Sequence, residues 1–345
     1  MKKDQTETFA KKVFFIIAAI GLTALFIYLS HILLLIFGAV LTAVTLRALA
    51  KPIETKTHVS TRWSLAIVVI GLTIGFLLTS LLVGSIVFSQ LDELSAQTAN
   101  SWQTLRSTIT QYHFGDKLVS EIESFKGNGV LAKIPLAAFS VLGSLANFLI
   151  VIVCGVFIAA EPQLYRQGLL KLFPEKTREK VGAALLLSGN ALTLWFKGKL
   201  ISMACIGILV TIVLSILGIP SAFAIGLIAG IGEFIPYIGA LISTIPAIML
   251  ALMEGPEMVL WVILAIVAVQ QLQGNLIMPL VQQRMVSLPP AVTIFSFLIM
   301  GFLFGLPGIL LAEPLTVFVY VMVKKLYIRD VLGENTKIPG EKARR

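Results

Sequence analysis

Glu233 stands in "GEFIPYIG" (232–239), where a carboxylate lies three residues before a proline and a glycine closes each end. From Leu200 to Val323 the only Asp, Glu, Lys or Arg residues are Glu233, Glu254, Glu257, Arg284 and Glu313. A charge at the centre of a bilayer costs at least roughly 2.5–3.5 kcal/mol, so such a residue must be wet, paired or protonated. Glu233 is therefore a candidate for binding a proton or a small cation. Glu313, six residues after Pro307, is expected at similar depth, and two carboxylates sharing one site would raise each other's pKa. The plainer alternative for Glu233 is a neutral or water-reached group that fastens a strained turn.

A second polar group sits in "VQQLQGNLIMPL" (269–280). Gln271 and Asn275 are four apart and share a helix face, with Gln270, Gln273 and Gly274 on the adjacent one. Amides in lipid must face protein or water, so they either line a polar solute or ion path or bond neighbouring helices together. Proline removes its own N–H and displaces the carbonyl four residues back. Pro236 is thus expected to free the carbonyl of Gly232, Pro279 that of Asn275, and Pro307, in "FGLPGILLAEP" (304–314), that of Leu303. Broken helices at membrane depth are tolerated where they face protein or a water-filled cavity, as in transporter sites. The expected binding set is Glu233, Pro236, Tyr237, Gly239, Gln270, Gln271, Gln273, Asn275, Pro279, Pro307, Gly308 and Glu313, with Gln271, Asn275 and Tyr237 holding a small polar solute.

The elements that must position these residues follow from composition. Of 345 residues, 57% are hydrophobic and 13% charged, against about 25% charged in a soluble domain. The bilayer is the solvent of such a chain, and the expected fold is an all-α, polytopic membrane protein with about eight inserted segments. Full spans fit residues 13–29, 32–50, 63–88, 135–160 and 199–218. The polar stretch 89–134 carries Leu91, Leu94, Trp102, Leu105, Ile109 and Tyr112 at helical spacing and reads as a small extracytoplasmic helical insert. The resulting divisions are 1–88, 89–134, 135–198 (a span with a basic cytoplasmic loop), 199–326 (the transport region) and a basic tail, 327–345.

The net charge of +9 is a topology signal. The N-terminal arm, the loop with Lys51, Lys56 and Arg62, segment 161–199 and the tail are all basic. Alternating spans place them together in the cytoplasm, with both termini inside a bacterial inner membrane. Segments 221–252 and 290–325 fit either kinked spans or re-entrant hairpins. Hairpins put the acidic "MEGPE" (253–257) outside and Arg284 inside, in line with the positive-inside tendency. "IPSAFAI" (219–225) and "LPPAVTI" (288–294) begin the two segments alike, as an inverted repeat would require.

Cys154 and Cys205 lie in apolar runs with no metal spacing, the three histidines are scattered, and no nucleotide-binding P-loop motif is present. The sequence therefore points to no enzyme, no cofactor, no metal and no nucleic-acid partner. Expected partners are a small polar solute or ions, the lipid bilayer and further copies of the chain, with a coupling proton or sodium ion.

"FIPYIG" (234–239), "QQLQGNLIMPL" (270–280) and "FGLPGILLAEPL" (304–315), together with the layout of spans and insert, resemble the autoinducer-2 exporter family of bacterial membrane proteins. The resemblance implies a multi-span permease exporting small molecules, with autoinducer-2 as the family's named substrate and sodium/proton exchange linked to some members. The family pattern often has an acidic residue where Gln273 stands, a glycine where Gln283 stands and an apolar residue where Glu313 stands. The function expected is a secondary or facilitative exporter working by alternating access. Its rivals are a sodium/proton antiporter using the same carboxylates and a membrane scaffold whose insert docks a partner.

Overall fold

The computed structural model describes residues 2–81, 146–235, 238–279, 286 and 288–341. The expected insert at 89–134, Pro236, Tyr237 and Arg284 lie outside the described residues. The described elements are helical: α1 (Lys2–Thr57), α2 (Thr61–Leu81), α3 (Ala146–Ala160), α4 (Pro162–Lys171), α5 (Glu175–Ile216), α6 (Ala222–Gly232), α7 (Ile238–Glu254), α8 (Pro256–Leu272) and α9 (Pro290–Met322). A π-helical turn, Gln273–Ile277, continues α8, and another, Val323–Arg329, continues α9. Five of the described helices are long and apolar enough to cross a membrane, or up to six if α3 and α4, bent by 93° at Glu161, form one span.

Two expected boundaries are corrected. Residues 13–50 do not form two spans but part of one 56-residue helix, about 84 Å long at 1.5 Å per residue. Ser30 and His31 are polar but carry no helix-breaking backbone, so they interrupt the apolar run without interrupting the helix. Segment 161–198 is not a loop either. Its charges suit a surface segment, and Lys, Arg and Glu are good helix formers. Pro162 opens α4 and Glu175 the 42-residue α5.

The chain divides into two compact units, one of residues 1–47, 150–193 and 288–345, the other of residues 48–149 and 194–287. In the first, Arg47 Nε donates to the carbonyl of Ala159 (2.7 Å), a cation closing the C-terminus of α3. The π turn after α9 leads into a folded tail. There Lys325 pairs with Asp330, Arg329 holds Glu341 through both oxygens (2.9 Å each), and Asn190 of α5 donates to the Gly340 carbonyl.

Within α9, Gly305 has φ 63 and ψ −143, a backbone state open essentially only to glycine. The chain reverses there. A Cβ on Gly308 would lie 2.0 Å from the Met300 carbonyl oxygen, and one on Gly301 would lie 3.0 Å from Ile309. Residues eight apart in an unbroken helix are about 12 Å apart along its axis. Segment 290–322 is thus a helical hairpin rather than a straight rod.

The second unit has its own hairpin, α6–α7, seated on α5 and α8. Its core joins Ile206, Val210 and Leu214 of α5 to Ile225 and Ala229 of α6, Ala247 and Ala251 of α7, and Val262 and Ile266 of α8. Small residues set the α5–α6 distance. A Cβ on Gly226 would meet Thr211 Oγ1 at 1.9 Å, and one on Gly230 would meet the Met203 carbonyl at 2.8 Å. Lipid supplies no hydrophobic drive between helices, so close backbone approach through a Gly-x-x-x-Gly pair is what holds them.

Candidate functional site

Trp195, Lys199 and Ser202 recur at spacings of four and three on α5, and all are buried. The same face continues toward the core as Ile206 and Val210. The polar end of this stripe meets the tip of the α6–α7 hairpin. Glu233 is the residue at which α6 ends, its N–H bonded to the Ala229 carbonyl (2.9 Å). The two glycines of "GEFIPYIG" have a steric reason: a Cβ on Gly232 would sit 2.6 Å from Gly239 Cα, and one on Gly239 would sit 2.3 Å from Glu233 N. Backbone touches backbone there, and the closure turns the Glu233 side chain into the unit, where it is 4% exposed.

The turn corrects one expectation. The Gly232 carbonyl is not left free by Pro236, because Ile235 N–H bonds it at 3.0 Å in a tightened turn. A cation at this tip cannot count on that carbonyl as an orphaned ligand.

Gln273 completes the cluster from α8. Its Nε2 donates to Glu233 Oε1 (2.5 Å) and to Ser202 Oγ (3.3 Å), and its side chain is buried. A π turn begins at this residue. The Met278 N–H reaches the Gln273 carbonyl five residues back, one residue further than in an α-helix, just before Pro279 withdraws a donor. This widening shifts the register of the residues that follow it, and single π turns recur at functional sites. Trp195 stacks edge-on against Phe234 (centroids 6.0 Å apart, 80° between planes), and its Nε1–H has no acceptor among the described residues.

The other expected site residues are placed elsewhere. Gln271 and Asn275 are exposed, and Asn275 Nδ2 donates to Gln271 Oε1 (3.2 Å), so this pair is satisfied by itself rather than by Glu233. Gln270 is half-buried, Gly239 buried and Pro279 exposed. Pro307 (exposed), Gly308 (buried) and Glu313 (half-buried) belong to the first unit, with Gly308 packed inside the α9 hairpin. Among the described residues no three His, Cys, Asp or Glu side chains are grouped to hold a metal ion.

Chemically, the second unit thus holds a buried carboxylate with an amide donor, a hydroxyl and an indole N–H nearby, and a lysine on the same helix face as the hydroxyl. The family profile of the AI-2E family transporter matches residues 14–328, which takes in both hairpins and every residue of this cluster. The chain belongs to the AI-2E transporter family. It is a multi-pass membrane protein, and membership of this family supports a role in membrane transport.

Relatives span different parts of the chain. It is 25% identical over 216 residues to a Bacillus subtilis (strain 168) protein named "Putative transport protein YrrI", covering 61% of this chain and 60% of that one. It is 31% identical over 170 residues to "Putative transport protein YueF" of the same organism, covering 49% and 42%. The Escherichia coli (strain K12) "AI-2 transport protein TqsA" is 30% identical over 120 residues, covering 34% and 35%. The chain therefore spans less than two thirds of YrrI and YueF.

Within this AI-2E chain, Ser202, Lys199 and Trp195 are absent from the set expected from sequence. Their signal was present: three polar or amphipathic residues on one helical stripe, at the border where α5 turns from charged to apolar.

Proposed function

We propose that this AI-2E protein is a secondary or facilitative transporter of a small polar solute, working by alternating access in a bacterial inner membrane. The observation that supports it is the buried bridge from Ser202 through Gln273 to Glu233 at a hairpin tip beside a π turn. Such a bridge costs more than an apolar packing unless it serves a purpose, since buried polar networks are favourable only when fully satisfied. A glutamate at a helix break can load and unload a proton or sodium ion, and a glutamine that spans two elements can exchange its partners for those of a solute. Glu233 carries the coupling cation in this reading, Gln273 and Ser202 take part in solute contact, and Gln271 and Asn275 line a more exposed part of the path.

The name of TqsA makes autoinducer-2 the first solute to try, with export the direction. The basic segments 51–62, 161–199 and 324–341 face the cytoplasm in this arrangement. A sodium/proton antiporter built on Glu233 is the second reading, favoured by the presence of a buried carboxylate in the cluster. Flux into and out of proteoliposomes, with and without sodium or pH gradients, tests both. Gradient-driven movement of autoinducer-2 or another small polar solute supports the first, ion exchange with no solute present supports the second, and neither flux at good incorporation contradicts transport through this cluster.

A further inference from the structure

Helix α4 (Pro162–Lys171) has three sides. Arg166 and Leu170, four apart, face α5: Arg166 Nη2 donates to the Gly182 carbonyl (3.2 Å), and a Cβ on Gly182 would lie 3.4 Å from Leu170. Gln163, Gln167 and Lys171, also spaced by four, share a second side and are exposed. Leu164, Tyr165 and Leu169, with Leu172 just beyond the helix, form the third side and are 43–80% exposed. No residue of α4 is buried. Such an apolar stripe is a liability in water. Yet four of the ten residues in the helix are Gln, Arg or Lys, which suits it no better to the hydrocarbon core. It is also short, about 15 Å against a core of about 30 Å.

The preceding helix fixes what meets this stripe. On α3, Ile150, Val153 and Phe157 are exposed at helical spacing, as a lipid-facing side of a membrane protein is. Helix α3 ends at Ala160, and α4 leaves it at 93°. Arg47 holds the bend, donating from Nε to the Ala159 carbonyl (2.7 Å) and from Nη2 to that of Ala160 (3.5 Å). The apolar stripe thus starts one turn beyond a lipid-facing helix and runs nearly at right angles to it. We propose that α4 lies in the membrane plane at the headgroup boundary of the leaflet where α3 ends. Leu164, Tyr165, Leu169 and Leu172 enter the acyl region, and the partner of the polar side is anionic lipid. An amphipathic helix with a basic polar side takes this position. Exposed Lys171 borders the stripe, and exposed Lys176 and Lys180 follow on α5, whose first turn is tied back to the end of α4 by Arg178 Nε on the Phe173 carbonyl (2.9 Å). Segment 161–180 carries Arg166, Lys171, Lys176, Arg178 and Lys180 against Glu161, Glu175 and Glu179, an excess that anionic headgroups attract. In this arrangement α3 and α4 are not two halves of one span.

Spin labels on the full chain test the placement. In a background without Cys154 and Cys205, single cysteines at Leu164, Leu169, Gln163 and Gln167 carry a nitroxide, and each protein is reconstituted in phosphatidylcholine vesicles with and without phosphatidylglycerol. All four sites are exposed, so the label displaces no packed side chain. Labels at 164 and 169 should collide mainly with oxygen, which concentrates among acyl chains, and labels at 163 and 167 mainly with a water-soluble nickel chelate. The nickel chelate favoured at all four sites would put α4 in water, and oxygen favoured at all four would put it in a span; either overturns the proposal. Shielding of 164 and 169 from both reagents would mean that protein, such as a second copy, covers the stripe, and overturns it too. Phosphatidylglycerol should shift the labels at 164 and 169 further toward oxygen, and replacing Lys171, Lys176 and Lys180 together by Gln should abolish that shift. No shift with phosphatidylglycerol, or a shift that survives the triple variant, overturns the anionic partner. The readout needs no flux, so it stands or falls apart from the transport function.

Discussion

Gln273 Nε2 donates at once to Glu233 Oε1 and to Ser202 Oγ, so one side chain on α8 ties the tip of a hairpin to the face of α5. Both amide hydrogens are spent on protein acceptors. Replacing Gln273 with Leu therefore removes a hydrogen bond to a charged group, a loss on the order of 1.5–3 kcal/mol. The thermal midpoint of Gln273→Leu should fall, and its solute flux should fall further than that of Gln271→Leu. Equal effects of the two substitutions would show that the buried bridge has no special role.

Gly226 and Gly230 let α6 lie directly on α5, with no room for a side chain at either position. Gly226→Leu forces the helices apart, at a cost of at least about 1–3 kcal/mol. It should reduce folded, monodisperse protein sharply. Gly274→Ala is the contrast, since nothing lies within 4 Å of a Cβ there. Tolerance of leucine at Gly226 would contradict the packing described.

The reversal at Gly305 has a chemical test. In a background without Cys154 and Cys205, cysteines placed at Gly301 and Ile309 should form a disulfide under mild oxidation, because a Cβ at Gly301 already touches the Ile309 side chain. Along a straight helix the two sites are about 12 Å apart and cannot be bridged. Gly305→Ala should weaken the hairpin by about 1–3 kcal/mol. Absence of the crosslink in folded protein would restore a continuous spanning helix.

Both hairpins were legible because their signals are backbone chemistry: glycine pairs that permit contact, and glycine or proline where a helix cannot continue. Glu233 was legible because a lone carboxylate in an apolar run demands an explanation. The helix register was not. Gln271 and Asn275 form the conspicuous pair four residues apart, yet both are exposed and Gln273, on the adjacent face, is the buried one. Local spacing does not say which of the two faces meets α5. Ser30–His31 and the basic stretch after Glu161 misled for another reason: polarity tells where a segment meets water, not where its helix ends. Lys199 was grouped with the basic residues of its segment, yet it is buried where Lys197, two residues earlier, is exposed.

Water access to the tip is a separate expectation. Ile235 lies in the described turn and is half-buried. A cysteine there, in the cysteine-free background, should react with a membrane-impermeant thiol reagent from at least one side, and a bound solute or cation should slow the reaction. Inertness from both sides would mean that the tip is sealed in protein rather than lining a path.

The central claim is that Glu233 carries the coupling ion, and Glu233→Gln in proteoliposomes addresses it most directly. Glutamine keeps the size of the side chain and can still bond Gln273, but it cannot titrate or balance a cation. Glu313→Gln, altered in the other unit, serves as the comparison. The account predicts that Glu233→Gln inserts and folds, yet its flux no longer responds to a sodium or pH gradient. A gradient response equal to wild type in Glu233→Gln, at normal incorporation, would contradict it.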